Sequence, residues 1–120
     1  MNIIFGSTEA NKLKEKYTVL ELDTVQVGSG KPFTAYCVVQ NIPFEDFPSI
    51  PSLKLLHSDL MENYKNKNWD SCIENINLLI GKWGGDLDTF YLELHNRVNE
   101  YKTNEPDDYW TGIIFKKLST

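Results

Sequence analysis

The sequence predicts an α+β chain, a small and mostly antiparallel sheet packed against a three-helix layer. Three observations predict it. Apolar residues keep one helical period across residues 53–101, interrupted by an Asn-marked and a Gly-marked break. The period changes to two between residues 17 and 40, on both sides of a glycine turn. A short run of strand composition, YWTGIIF at 109–115, follows a Pro-containing loop near the end. With 120 residues, 41% of them apolar and 12% aromatic, one domain with a real core is expected. Within it, residues 1–42 form the sheet part, 52–102 the helical part and 109–115 a strand returning to the sheet.

Taken in order, Asn2, Ile3, Ile4 and Phe5 have strand composition, and Gly6-Ser7-Thr8 ends them with turn and helix-cap chemistry. Residues 9–17 then read as a short helix with Ala10, Leu13 and Tyr17 on one face and Lys12, Lys14, Glu15 and Lys16 in solvent. Leu20 and Leu22, then Val25 and Val27, mark a strand whose broken alternation predicts a bulge or bend at Asp23-Thr24. The turn Gly28-Ser29-Gly30-Lys31-Pro32 leads to an antiparallel neighbour with Phe33, Ala35, Cys37 and Val39 on one face and Thr34, Tyr36 and Val38 on the other. In NIPFEDFPSIPS, Pro43, Pro48 and Pro51 argue against regular structure, so this stretch reads as a linker carrying two aromatics, Phe44 and Phe47.

Pro51 fits a first helical turn, with Ser49 or Ser52 available as a cap, and Leu53, Leu56, Leu60, Met61 and Tyr64 form the stripe of the first long helix. Lys65-Asn66-Lys67-Asn68 breaks it and offers Asn68 as the next N-cap. The second helix places Trp69, Cys72, Ile73, Ile76, Leu79, Ile80 and Trp83 on one face, with Gly81 weakening its last turn and Gly84-Gly85 stopping it. Asp86 or Asp88 caps the third, whose Leu87, Phe90, Tyr91, Leu94, Val98 and Tyr101 keep the spacing.

The run LMENYKNKNWDSCIENINLLI at 60–80 resembles a tetratricopeptide-type helical hairpin, with Tyr64 in the first helix, Trp69 after the turn, Cys72 at a small-residue position and Ile76 at a large apolar one. Its turn is about one residue shorter, and Met61 replaces the Gly of that pattern. One unit is present where a solenoid needs roughly three, so the resemblance implies a helical hairpin and not peptide binding. Over most of its length, through MNIIFG, KYTVLELDT, AYCVVQNIP and GKWGGDLDTFY, the chain resembles small uncharacterised proteins of tailed phages of marine cyanobacteria. That resemblance implies a phage-encoded protein working in the host cytoplasm, and it brings no activity with it.

A net charge of −5 argues against phosphate-backbone binding, which needs clustered Lys and Arg, so nucleic acid is an unexpected partner. Acids outnumber bases in each of residues 1–50, 51–103 and 104–120, with no carboxylate run of the kind a DNA mimic needs. Cys37 and Cys72, on a strand and an apolar helix face, read as reduced structural thiols. The N-terminus lacks signal-peptide features and no apolar run approaches a membrane span, so a cytoplasmic protein is expected.

Few residues suggest chemistry. Gly28-Ser29-Gly30-Lys31 lacks the spacing and the hydroxyl of a phosphate loop and leads into a strand. His57 and His95 lie on apolar helix faces without partners at metal-ligand spacing, and Asp86 and Asp88 fit capping better than an EF-hand. No catalytic residue, metal site or cofactor is expected. Ser7 and Thr8, at a strand-to-helix turn, are the candidates for holding an anion. Phe44, Phe47, Trp83, Tyr109 and Trp110 are the candidates for an interaction surface, with core plugging as the structural alternative. The expected function is a non-enzymatic binding or assembly protein acting through protein contacts. A homo-oligomer is expected because a small sheet has edges to cover. A small-ligand or anion-binding regulatory domain is the alternative.

Overall fold

The structure, a computed structural model, describes residues 2–40 and 42–116; of the Lys116-Lys117-Leu118 stretch that follows the YWTGIIF run, Lys117 and Leu118 lie outside them. The chain is α+β, and two compact units hold its described residues, one of residues 2–40 with 111–116 and one of residues 42–110.

In the first unit, β1 (Asn2–Phe5), β2 (Thr18–Val27), β3 (Phe33–Val39) and β4 (Ile113–Lys116) form one sheet in the order β1-β3-β2-β4. β3 runs antiparallel to both β1 and β2, while β4 joins β2 in parallel, so the sheet is mixed. A parallel neighbour cannot be reached by a tight hairpin, and the long crossover it requires is supplied by the chain between β3 and β4. The returning strand begins at Ile113 rather than Tyr109, because the Trp110 N–H bonds back to the Asp107 carbonyl (3.1 Å) and Gly112 takes φ +86°. The bulge falls at the expected place. Pairing steps from Glu21 opposite Tyr36 to Thr24 opposite Thr34, one residue too many in β2, and the two Thr hydroxyls then meet at 2.8 Å.

Both faces of β2 and β3 are apolar. Val19 and Val38 lie on the face covered by α1 (Ser7–Leu13), where Ala10 completes a small core flanked by Ile4, Leu13 and Tyr36. Leu20, Leu22, Cys37 and Val39 have the opposite parity and are buried too. α1 stops at Leu13, where backbone bonds from Lys16 and Tyr17 to the Leu13 carbonyl tighten the turn, and Tyr17 is left exposed instead of sharing the apolar face.

The second unit is helical: α2 (Ile50–Lys65), α3 (Trp69–Leu79) and α4 (Asp88–Thr103), with 3-10 turns at Phe44–Ser49 and Trp83–Gly85. The proline-punctuated linker is therefore partly regular. A 3-10 turn tolerates Pro48 because the fixed φ of proline suits it and few N–H groups are bonded. α2 follows without a break, with Pro51 in its first turn and Ser49 before it, although no side chain caps the helix. Asn68 occupies the N-cap position of α3, but its amide donates to Asn63 Oδ1 (3.2 Å) rather than capping. Asn63 in turn donates to Asn75 Oδ1 (2.9 Å), tying α2 to α3.

Most of each expected stripe is buried: Leu53, Leu60, Met61 and Tyr64 from α2, Trp69, Cys72, Ile76 and Leu79 from α3, and Phe90, Tyr91, Leu94 and Val98 from α4, with Leu87 just ahead of it, while Leu56, Ile73 and Tyr101 are half-buried. The end of α3 differs from expectation. It stops at Leu79, four residues before Trp83, and Gly81 at φ +85° turns the chain. Ile80 is thereby displaced to the surface, and Gly84 and Gly85, also at positive φ, shape a separate turn. Neither Asp86 nor Asp88 caps α4. Leu87 holds the N-cap position, and Asp88 Oδ1 accepts the Gly81 N–H at 2.8 Å, joining the end of α3 to the start of α4.

Candidate functional site

The 3-10 turn at Phe44–Ser49 carries the most exposed pair of neighbouring rings in the helical unit. The Asp46 N–H bonds to the Pro43 carbonyl (2.9 Å), which winds the segment so that Phe44 and Phe47, three residues apart, fall on one side. Their centroids are 5.4 Å apart at 48°, and the rings are 82% and 50% exposed. Each ring shields part of the other. Glu45 is exposed and Asp46 half-buried between them, so the turn is an aromatic knob with two carboxylates.

The other expected surface residues diverge. Tyr109 is 89% exposed, in a turn held by its own N–H bonding to Asp107 Oδ1 (3.0 Å). Trp110, next to it, is half-buried: Nε1 donates to the Tyr64 carbonyl (3.2 Å), and its ring lies 5.2–6.4 Å from those of Tyr101, Tyr64 and Trp69. The indole thus pins residues 104–110 to the helices. Trp83 is not a surface residue. It is fully buried, because the turn at Gly81 swings it back against α4, where Nε1 donates to Tyr91 Oη at 3.1 Å. The same hydroxyl lies 2.9 Å from His57 Nδ1, and since the indole can only donate, the Tyr91 oxygen accepts from Trp83. All three residues are at most 2% exposed, a buried polar knot joining α2, the Trp83 turn and α4.

Ser7 and Thr8 are exposed at the start of α1. Gly6, at φ +95°, occupies the N-cap position, no side chain caps the helix, and α1 has seven residues. The two hydroxyls therefore stand at the surface of a very short helix.

A feature that residue spacing does not announce lies at the α2–α3 turn. Lys67, in a left-handed conformation at φ +61°, Asn68, Trp69, Asp70, Ser71 and Lys102 line an open cleft of about 390 Å³. Lys67 Nζ donates to the Pro106 carbonyl (3.1 Å), and Lys102 Nζ reaches Asp70 Oδ1 at 2.7 Å, an ion pair that stands largely in water. The signal available in the sequence was the Lys-Asn-Lys-Asn stretch, which periodicity marks only as a helix break. Trp69 is buried in the adjoining ring cluster, and its Nε1 has no hydrogen-bond partner.

Cys72 is fully buried, its Sγ 4.0 Å from the Leu60 carbonyl, and burial pushes the thiol up to about 12 from an ordinary 9.0. Such a group is a poor nucleophile near neutral pH. Among the described residues no group of three or more His, Cys, Asp or Glu side chains is placed to hold a metal ion, and His95 pairs with Asn99 (3.1 Å) on the surface of α4. No helix among them is long and apolar enough to cross a membrane. Compared with known proteins, the chain matches no family model, no curated protein and no solved structure at a significant level.

Proposed function

We propose that this chain is a non-enzymatic assembly protein that works through protein contacts, first of all with further copies of itself, and that the Phe44–Phe47 knob makes the contact. The observation carrying this reading is the exposed pair of mutually tilted rings on a short, hydrogen-bonded turn. Leaving Phe44 in water and Phe47 half in water forgoes roughly 2 kcal/mol for the first and about half of that for the second, relative to burial. A turn that presents them together is preorganised for docking, since little conformational freedom is left to lose. The cytoplasm of a phage-infected bacterium is the proposed setting, resting on the resemblance in sequence pattern alone.

Sedimentation velocity across a concentration series tests the reading. The wild-type chain should sediment above its 13.9 kDa monomer mass, and Phe44→Ser with Phe47→Ser, with unchanged helical circular dichroism, should return it to the monomer. A wild type that stays monomeric, or a double variant that associates as before, overturns the proposal. Non-protein mass retained on the folded chain in native mass spectrometry would instead favour a small-ligand function.

A further inference from the structure

We infer that the Phe44–Phe47 knob of one copy docks in the lysine-lined cleft at the α2–α3 turn of a second copy. This rests on the assembly reading above and goes beyond it by naming the receiving surface.

Charge selects that surface. Pairing two knobs with each other would bring Glu45 and Asp46 of both copies together, four carboxylates around a patch of rings, and like charges brought face to face oppose association. The receiving surface must supply cations beside room for an aromatic ring. The cleft has both: Lys67 and Lys102 stand on its wall against one carboxylate, Asp70, and it is an open depression of about 390 Å³. Its lysines can be recruited. The Lys102–Asp70 pair is exposed, so an incoming carboxylate can take Lys102 while Asp70 returns to water, and Lys67 is held only by the neutral Pro106 carbonyl. One knob and one cleft per copy allow a reciprocal two-fold dimer or a closed ring.

A charge exchange tests the contact. Two variants are made, Glu45→Lys with Asp46→Lys and Lys67→Glu with Lys102→Glu, each checked for wild-type circular dichroism. Each alone should dissociate about tenfold or more readily than wild type in sedimentation velocity, since its knob and cleft now carry like charge. Mixed in equal amounts they should associate again, because every knob then meets a cleft of opposite charge in the other variant. Wild-type association should also weaken as salt is raised. If the cleft variant associates as wild type does while Phe44→Ser with Phe47→Ser is monomeric, the inference fails and the assembly reading stands. If mixing restores nothing, the inference fails likewise. A monomeric wild type overturns both. Should the cleft variant not fold, Lys102→Gln alone must still weaken association, and wild-type behaviour there overturns the inference.

Discussion

Tyr91 shows what one buried hydroxyl does. Its oxygen accepts the Trp83 indole proton and lies 2.9 Å from His57 Nδ1, in a place with almost no access to water. Tyr91→Phe keeps the ring and removes the acceptor, so Trp83 Nε1 is left buried without a partner and His57 loses one. We expect a loss of about 1–3 kcal/mol in urea unfolding, the usual cost of a stranded buried polar group. Trp69→Phe is the contrasting case. Its Nε1 is already buried without a partner, so removing it relieves a desolvation cost that offsets the smaller ring. We expect a change within about 1 kcal/mol by the same measurement. Cys72 gives a pH prediction. Burial raises its folded-state pKa from 9.0 to about 12, so in this window the unfolded chain releases a proton that the folded chain keeps. The contribution is complete below pH 9 and is lost as pH rises toward 12, at up to about 1 kcal/mol per pH unit. Cys72→Ala should flatten that slope in alkaline urea titrations, and the native thiol should resist modification near neutral pH.

At the scale of elements, periodicity revealed where helices lie better than where they stop. The stripes of α2, α3 and α4 were legible because burial imposes a 3.6-residue spacing that side chains must honour. The end of α3 was not, because two glycine sites compete and the spacing of Ile80 and Trp83 continues the stripe past the true stop. The outcome is set by Gly81, whose N–H is bonded by Asp88 and whose φ of +85° an L-residue reaches only with strain. Trp83 could therefore be read as the surface end of a helix when it is the centre of a buried knot. Gly81→Ala tests the point cleanly, since an added Cβ would meet no atom within 4 Å and only backbone strain remains. A loss of about 1–2 kcal/mol in thermal or urea unfolding is expected. In the sheet, the bulge was visible as a slip in alternation, whereas the parallel direction of β4 was not, because strand composition says nothing about direction. The knob was legible as two aromatics among prolines. The cleft was not, because its lysines come from a turn and from α4, 35 positions apart in sequence.

For the molecule as a whole, the difference between the two units is one of connectivity. The helical unit is a continuous stretch, residues 42–110, in which α2 packs on α3 and α3 on α4 through neighbours in sequence. The sheet unit is discontinuous: β4 lies some seventy residues beyond β3 and still pairs along the outer side of β2. Local contacts form at low loop-closure cost, whereas pairing of β4 must wait for most of the chain. Expressed alone, residues 42–110 should therefore keep a helical circular dichroism spectrum and a cooperative thermal transition. Residues 1–40 alone lack the strand that pairs with the end of β2, leaving the backbone groups of residues 24–27 on that edge unpaired. That fragment should aggregate or stay unfolded. A helical fragment with no cooperative transition would show that its core depends on the rest of the chain, and the separation into units would then describe geometry without independent folding.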